Sequence, residues 1–330
     1  MGRRHGSGHH RVVRGARRLH LQATTGSWCA MSEYRIALFT VECAQTGAAM
    51  AEIVARHPEV RMIVTSDVTR PARGSAAQQA VQHIRRSGLG FAGYLLSSFQ
   101  FYNAWLSFDR VRSAVTRGER DRLSVAELCA QNGLRHIHSQ NVNGADVIEA
   151  MRAEGIDLIV IYWFDQILKQ RVIDLPAHGV VNLHAAPLPV CRGLWPVLFS
   201  AIENDRKFGI TAHLIEDEQI DAGPIIGQLS VADTGRSVLY QDDIVNRSGT
   251  ELLSAVLADL PSAIAAGRHQ SGGSYFSHPE RAQIAAGSRR GISLTALRDM
   301  VDVYRSKGSL DAEFTVVPGV PADTDPVAGR

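Results

Sequence analysis

The chain has 330 residues, 45% of them hydrophobic and 21% charged, a globular composition that suits one large α/β domain with a small addition. No apolar run approaches the ~20 residues a membrane helix needs, and the four cysteines are too scattered for zinc-finger or redox spacing, which points to reduced thiols in a cytoplasmic protein. Residues 1–30 hold six Arg and no acidic residue; removing those charges from the net +2 leaves −4 for residues 31–330, which argues against a broad nucleic-acid footprint.

Residues 1–33 form a basic leader, rich in Arg, His and Gly and too poor in apolar residues to offset chain entropy, so disorder is expected there. Arg17-Arg18 faintly resembles an export signal, but the apolar region such a signal needs is missing, and a non-functional leader, or a true start at Met31, is the expected reading. From Tyr34 the pattern changes. An apolar run over 34–40, a helical pattern over 48–56 and a second apolar run over 60–65 open a parallel α/β sheet. No G-x-G-x-x-G follows the first strand, so no dinucleotide site is expected.

Residues 76–116 read as helical and are unusually aromatic, with Gly88 and Gly90 expected to break the stretch in two. Their aromatic side chains suit helix packing better than a substrate wall, and a second subunit is an alternative contact. Helix over 125–131, strand over 135–138, helix over 145–152 and a fully apolar strand over 157–162 resume the α/β alternation. His136 and His138 share a strand face with no acidic ligand beside them, so no metal site is expected. Strands over 179–183, 208–215 and 224–231 complete a Rossmann-like, mostly parallel sheet flanked by helices. An amphipathic helix over 242–266 follows. Residues 34–270 thus read as one catalytic domain. A linker at 271–274 leads to a small appendage over 271–310 with one helix at 295–305, and 311–330 read as a loose tail.

The stretch 180–223 carries the chemistry. Asn182 and His184 are two residues apart at a strand end, so both side chains face one centre. Pro187 and Pro189 force an irregular turn directly after them; the Leu188–Pro189 bond suits a cis turn. Asp221, in Asp221-Ala222-Gly223-Pro224, could pair with His184. Attack on an amide-like carbonyl builds negative charge on oxygen, which the Asn182 amide could receive. Protonated His184 could donate a second bond to that oxygen and a proton to the leaving nitrogen, with Asp221 raising its pKa and relaying the proton of an incoming amine. Arg192 could hold an anionic part of a substrate or bond nearby carbonyls. His213 reads as a packed, hydrogen-bonded residue, and Cys191 as a bystander.

Asn182-Leu183-His184-Ala185-Ala186-Pro187-Leu188-Pro189, Arg192-Gly193, Gly209–His213 and Asp221–Ile226 together resemble the formyltransferase catalytic domain, whose pattern runs N-x-H-x-S-x-L-P, R-G and D-x-G. The resemblance spans Tyr34–Pro261. It implies the formyltransferase fold, an Asn182–His184–Asp221 centre and 10-formyltetrahydrofolate as formyl donor. It further implies that the folate sits between the loops 163–168 and 215–221, against Trp163, Phe164, Gln166, Ile167, Leu168, Ile215 and Asp217, and that Arg192 and Gly193 meet the acceptor. Three departures stand out. Ala186 replaces the family's Ser, the 211–221 loop is longer by one residue, and the first βα loop, 41–46, lacks a Gly/Asn/Ser phosphate cradle.

The family formylates several amines. About 65 residues follow the long helix, short of the roughly 100-residue β-rich domain expected of a methionyl-tRNA formyltransferase. The expected acceptor is therefore a small-molecule amine, such as an amino sugar nucleotide or a natural-product amine. Methionyl-tRNA, hydrolysis of the formyl folate, and non-catalytic folate binding are the alternatives. A homodimer is left open.

Overall fold

The structure is a computed structural model, and it describes residues 34–66 and 74–305. The leader and the tail lie outside the described residues. Strand β1 (Ile36–Val41) is buried throughout and runs into helix α1 (Gly47–Arg56) and strand β2 (Val60–Ser66). Helix α2 (Ala76–Ser98) starts at a Ser75–Gln78 capping box, which satisfies two backbone N–H groups at the helix start. Gly88 breaks α2 internally at φ 86°, where a Cβ would be strained. The chain turns again at Phe99, a corner the sequence pattern did not suggest, into α3 (Gln100–Thr116). Helix α4 (Val125–Asn132), strand β3 (Arg135–His138), helix α5 (Ala145–Ala153) and strand β4 (Leu158–Tyr162) follow.

Next come α6 (Gln170–Ile173), β5 (Val180–His184), β6 (Arg192–Gly193), α7 (Pro196–Glu203), β7 (Phe208–Leu214) and β8 (Ile225–Val231). Seven strands form one sheet in the order β3-β2-β1-β4-β5-β7-β8. The first five are parallel, while β7 is antiparallel to both β5 and β8. The parallel strands β1 and β4 are buried along their whole length because helices cover both faces. Each fully buried Ile or Leu there contributes about 1.5–3 kcal/mol.

Helix α8 (Val238–Ala258) begins four residues before the expected start, and the chain resets at Asp259 into α9 (Leu260–Ala265), whose Asp259 cap accepts from the Ser262 N–H at 3.1 Å. The missed first turn is Val238-Leu239-Tyr240-Gln241, after Ser237, and the helix buries several polar residues: Gln241, Asp242, Asp243, Asn246 and Arg247. Burial pushes Asp242 up to about 7, despite its hydrogen bonds from Tyr94 and Asn246, and Asp243 up to about 6.

Strand β9 (Tyr275–Phe276) and helices α10 (Arg281–Arg289) and α11 (Leu297–Arg305) end the described chain. The boundary expected after residue 270 falls inside a hydrogen-bonded stretch, because β9 pairs with β6. Ile284, Ile292, Leu294, Val303 and Tyr304 join the same core as β4 and β5. Among the described residues, no helix is long and apolar enough to cross a membrane.

Candidate active site

Asn182, His184, Thr211 and His213 share one face of the sheet. On β5 the first two are two residues apart, and the antiparallel register sets Asn182 opposite His213 and His184 opposite Thr211. The loop after β7 then brings Asp221 back over this face. Asp221 has a φ of 49°. Gly223 is required nearby, because a Cβ there would collide with the Leu214 carbonyl. From the far side of the chain, Gln270 Nε2 donates to the Asp221 carbonyl at 3.0 Å and to the Gly223 carbonyl at 2.7 Å.

Four groups surround the Asp221 carboxylate. Oδ1 accepts from Asn182 Nδ2 at 3.0 Å, and Oδ2 accepts from the Gly193 N–H at 2.8 Å. His184 Nδ1 is 3.4 Å from Oδ2, and His213 Nε2 is 3.5 Å from Oδ1. Burial by itself would raise the Asp221 pKa, but the two histidines and the Gly193 N–H outweigh it and bring it down to about 2.

His184 Nε2 donates to the Cys191 carbonyl at 2.9 Å. A carbonyl can only accept, so Nε2 carries the hydrogen and Nδ1, facing Asp221, is the nitrogen that titrates. Asp221 acts on the His184 pKa in the expected, upward direction, but it does not decide the net result. Burial wins over the carboxylate and the Cys191 carbonyl, and the pKa is lowered. His213 Nδ1 donates to the Leu214 carbonyl at 2.9 Å, which leaves Nε2 to accept from Asn182 Nδ2 at 3.0 Å. Both hydrogens of the Asn182 amide are therefore engaged, one on Asp221 and one on His213.

The turn from 185 to 193 is held from outside. Leu188–Pro189 is cis. Thr211 Oγ1 accepts from the Leu188 N–H at 3.1 Å and donates to the Ala186 carbonyl at 2.7 Å, while Gln228 reaches the Leu188 carbonyl at 2.9 Å. The expected linker also serves this turn. Ser274 Oγ accepts from the Cys191 N–H at 2.9 Å, and the Ser274 carbonyl accepts from the Arg192 N–H at 2.9 Å. Gly193 has φ 94°, and a Cβ there would strike the Phe276 carbonyl. Cys191, read as a bystander, supplies the carbonyl that fixes His184, a role carried by its backbone and therefore invisible in its residue type. Arg192 Nε is buried with no hydrogen-bond partner among the described residues.

The expected folate residues divide into two groups. Gln166 is spent on the protein: it accepts from the Val142 N–H at 2.9 Å and donates to Ser66 Oγ and the Ser139 carbonyl, each at 2.9 Å. Leu168 is buried in the core beside Val172 and Ile173. Both hold the loop from behind, where the sequence had set them facing the ligand. Ile167 is exposed and Trp163, at φ 55°, is half-buried. Trp163 packs against Phe99 and Trp195 at ring distances of 5.8 and 5.7 Å. Phe164 packs on Phe39. Ile215 is part-buried, and Asp217 accepts from Gln219 twice, at 2.8 and 2.9 Å. The two loops are bridged by Lys169 Nζ to Glu218 Oε2 at 2.6 Å and by Gln170 to the Glu216 carbonyl at 3.2 Å.

Residues 110–241 match the family model described as formyl transferase. The methionyl-tRNA formyltransferase of Fusobacterium nucleatum is 32% identical over 152 residues, covering 45% of this chain and 49% of that protein. That of Rhizorhabdus wittichii is 30% identical over 185 residues, 55% of each. The chain thus spans about half the length of these curated relatives. Among solved structures, a phosphoribosylglycinamide formyltransferase from Bacillus halodurans aligns with a TM-score of 0.45 at 17% identity, over 69% of this chain and 95% of that one. A 4-N formyltransferase from Francisella tularensis aligns with a TM-score of 0.44 at 18% identity, over 74% and 76%. The matched stretch, residues 110–241, is similar to the formyl transferase family and holds β4, β5, β7, β8 and every side chain around the Asp221 carboxylate.

Proposed function

We propose that this chain transfers a formyl group from 10-formyltetrahydrofolate to the primary amine of a small molecule, in the cytoplasm. The observation that carries this reading is the Asp221 carboxylate, ionised and enclosed by Asn182, His184, His213 and the Gly193 N–H. When bound, the folate supplies an activated formyl carbon on a nitrogen that can leave. Trp163, Phe164, Ile167, Ile215 and Asp217 would line its site. The two loops suit a flat heterocycle: Ile167 on one and Ile220 on the other present exposed apolar surface, and the Lys169–Glu218 bridge ties the loops together.

The protein's part is to hold and move one proton. Asp221 Oδ2 accepts the proton that the amine sheds as its nitrogen bonds to the formyl carbon. His184 Nδ1, bare in the neutral ring, shares that proton with Oδ2, and the pair returns it to the departing nitrogen, so no net charge is left behind. The Asn182 amide donates to the oxygen that gains charge, releasing its bond to His213 as it does so. Arg192, with its buried unpartnered Nε, holds an anionic part of the acceptor beside Gly193.

Methionyl-tRNA as acceptor is the second reading, favoured by the names of the curated relatives. The net −4 of residues 31–330 supports the small molecule instead. An assay of tetrahydrofolate release with a panel of amines tests these readings. Release that requires a small amine supports the proposal, and release that requires initiator methionyl-tRNA replaces it with the second reading. Release in water alone makes the chain a hydrolase. Folate binding with no release under any condition leaves a binding protein.

A further inference from the structure

The chemistry described above uses none of the outer surface of α3 and α11. Tyr102, Leu106, Asp109 and Ser113 bury one side of α3. On the opposite side, Phe101, Ala104, Phe108, Val111 and Val115 face outward. Their spacing of three, four, three and four residues is a heptad seam, the pattern by which one helix packs along another. Tyr304 joins α11 to this helix, its ring 6.2 Å from Trp105 and 5.6 Å from Tyr102. Leu297 and Val301 precede Tyr304 by seven and three residues, so they lie on its side of α11, toward α3.

These six large apolar side chains are between 40% and 77% exposed. Single exposed apolar residues are ordinary, but a contiguous set is not. They leave on the order of 600 Å² per chain, so two such faces meeting would bury on the order of 1,200 Å², the lower bound of a specific interface. The bordering charges are paired within the chain. Arg110 binds Glu127 at 2.7 Å, Arg112 binds Asp109, Arg298 lies 3.9 Å from Asp302, and Arg305 lies 3.7 Å from Asp121. A second copy therefore meets this face without like-charge repulsion, and a seam of one helix is self-complementary about a two-fold axis.

We propose that the α3–α11 face is a homodimer interface, occupied by the same face of a second copy. Sedimentation of the full chain at low and high micromolar concentration tests it, beside the double variant Phe108→Glu, Val111→Glu. Both positions are exposed; near-ultraviolet circular dichroism checks the fold, and Val115→Arg, near the helix end, is a milder second variant. The expected result is a concentration-dependent dimer whose dissociation constant rises by at least about 100-fold in the double variant. A monomer at every concentration overturns the proposal, as does a dimer the variants leave unchanged. Two other outcomes also overturn it: a monomer that dimerises only when residues 306–330 are removed gives the face to the chain's own end, and a monomer that binds phosphatidylcholine vesicles through Phe108 gives it to a membrane.

Discussion

His184 Nδ1 lies 3.4 Å from Asp221 Oδ2 while His184 Nε2 is tied to the Cys191 carbonyl at 2.9 Å. One edge of the ring is fixed and the other is left to exchange a proton with the carboxylate. Asp221→Asn keeps the hydrogen-bonding outline and removes the base. Turnover is expected to fall by roughly 10²–10⁴-fold with an unchanged circular dichroism spectrum. Turnover within a few-fold of wild type would remove Asp221 from the proton path.

The lowered His184 pKa gives the rate an acid limb. The proposed reaction uses neutral His184 to take the proton, so kcat is expected to fall as pH drops through a value below 6.5. Stability follows the same sign. Between 6.5 and the lower folded value the unfolded chain binds more protons, so the native state weakens as pH falls through that window. In His184→Gln this part of the pH dependence should vanish from both the rate profile and the melting curve. An acid limb of unchanged position in the variant would assign it to another group.

Gly193 combines a left-handed φ of 94° with a carbonyl where a Cβ would go. Gly193→Ala is expected to cost about 2 kcal/mol or more and to pull the 193 N–H away from Asp221, lowering kcat together with Tm. A variant that loses Tm but keeps kcat would show that this N–H contact is dispensable.

Lys169→Met removes the bridge between the two loops. Both partners are about half exposed, so the loss of stability should stay below about 1 kcal/mol. If the loops frame the folate, its KM rises several-fold while kcat holds. An unchanged KM would place the folate elsewhere.

Asp242, buried on α8 and pushed up to about 7, binds a proton more readily in the folded chain than in the unfolded one. Stability is therefore expected to fall as pH rises from about 4 to about 7, with a shallower slope in Asp242→Asn when Tm is followed across that range. An equal slope would assign the dependence to other groups.

Much of the sheet could be read from the chain because its parallel strands are buried on both faces and so appear as unbroken apolar runs, as in Leu158–Tyr162. Asn182 and His184 could be placed on one face by the two-residue period of a strand. His213 could have been set beside them, since Thr211 and His213 repeat that period on the antiparallel neighbour, but register between strands is not written in either strand alone. The backbone donors and acceptors, Gly193 N–H and Cys191 C=O, carry no residue signature. Gln166 and Leu168 were assigned to the ligand because motif position fixes the loop and not which way each side chain turns. The first turn of α8 was missed because Val238-Leu239-Tyr240 is too short an apolar run to show a helical period of its own.

The two-residue pairing of β6 with β9, with Ser274 and Gln270 beside it, separates the residues around the carboxylate from the residues that keep them still by 83 positions at Cys191–Ser274 and 49 at Asp221–Gln270. A chain cut after α9 would retain every side chain around the Asp221 carboxylate and lose the brace on both the 185–193 turn and the Asp221 loop. Changes confined to 270–276 would then alter the shape of the site while leaving the recognisable motif untouched.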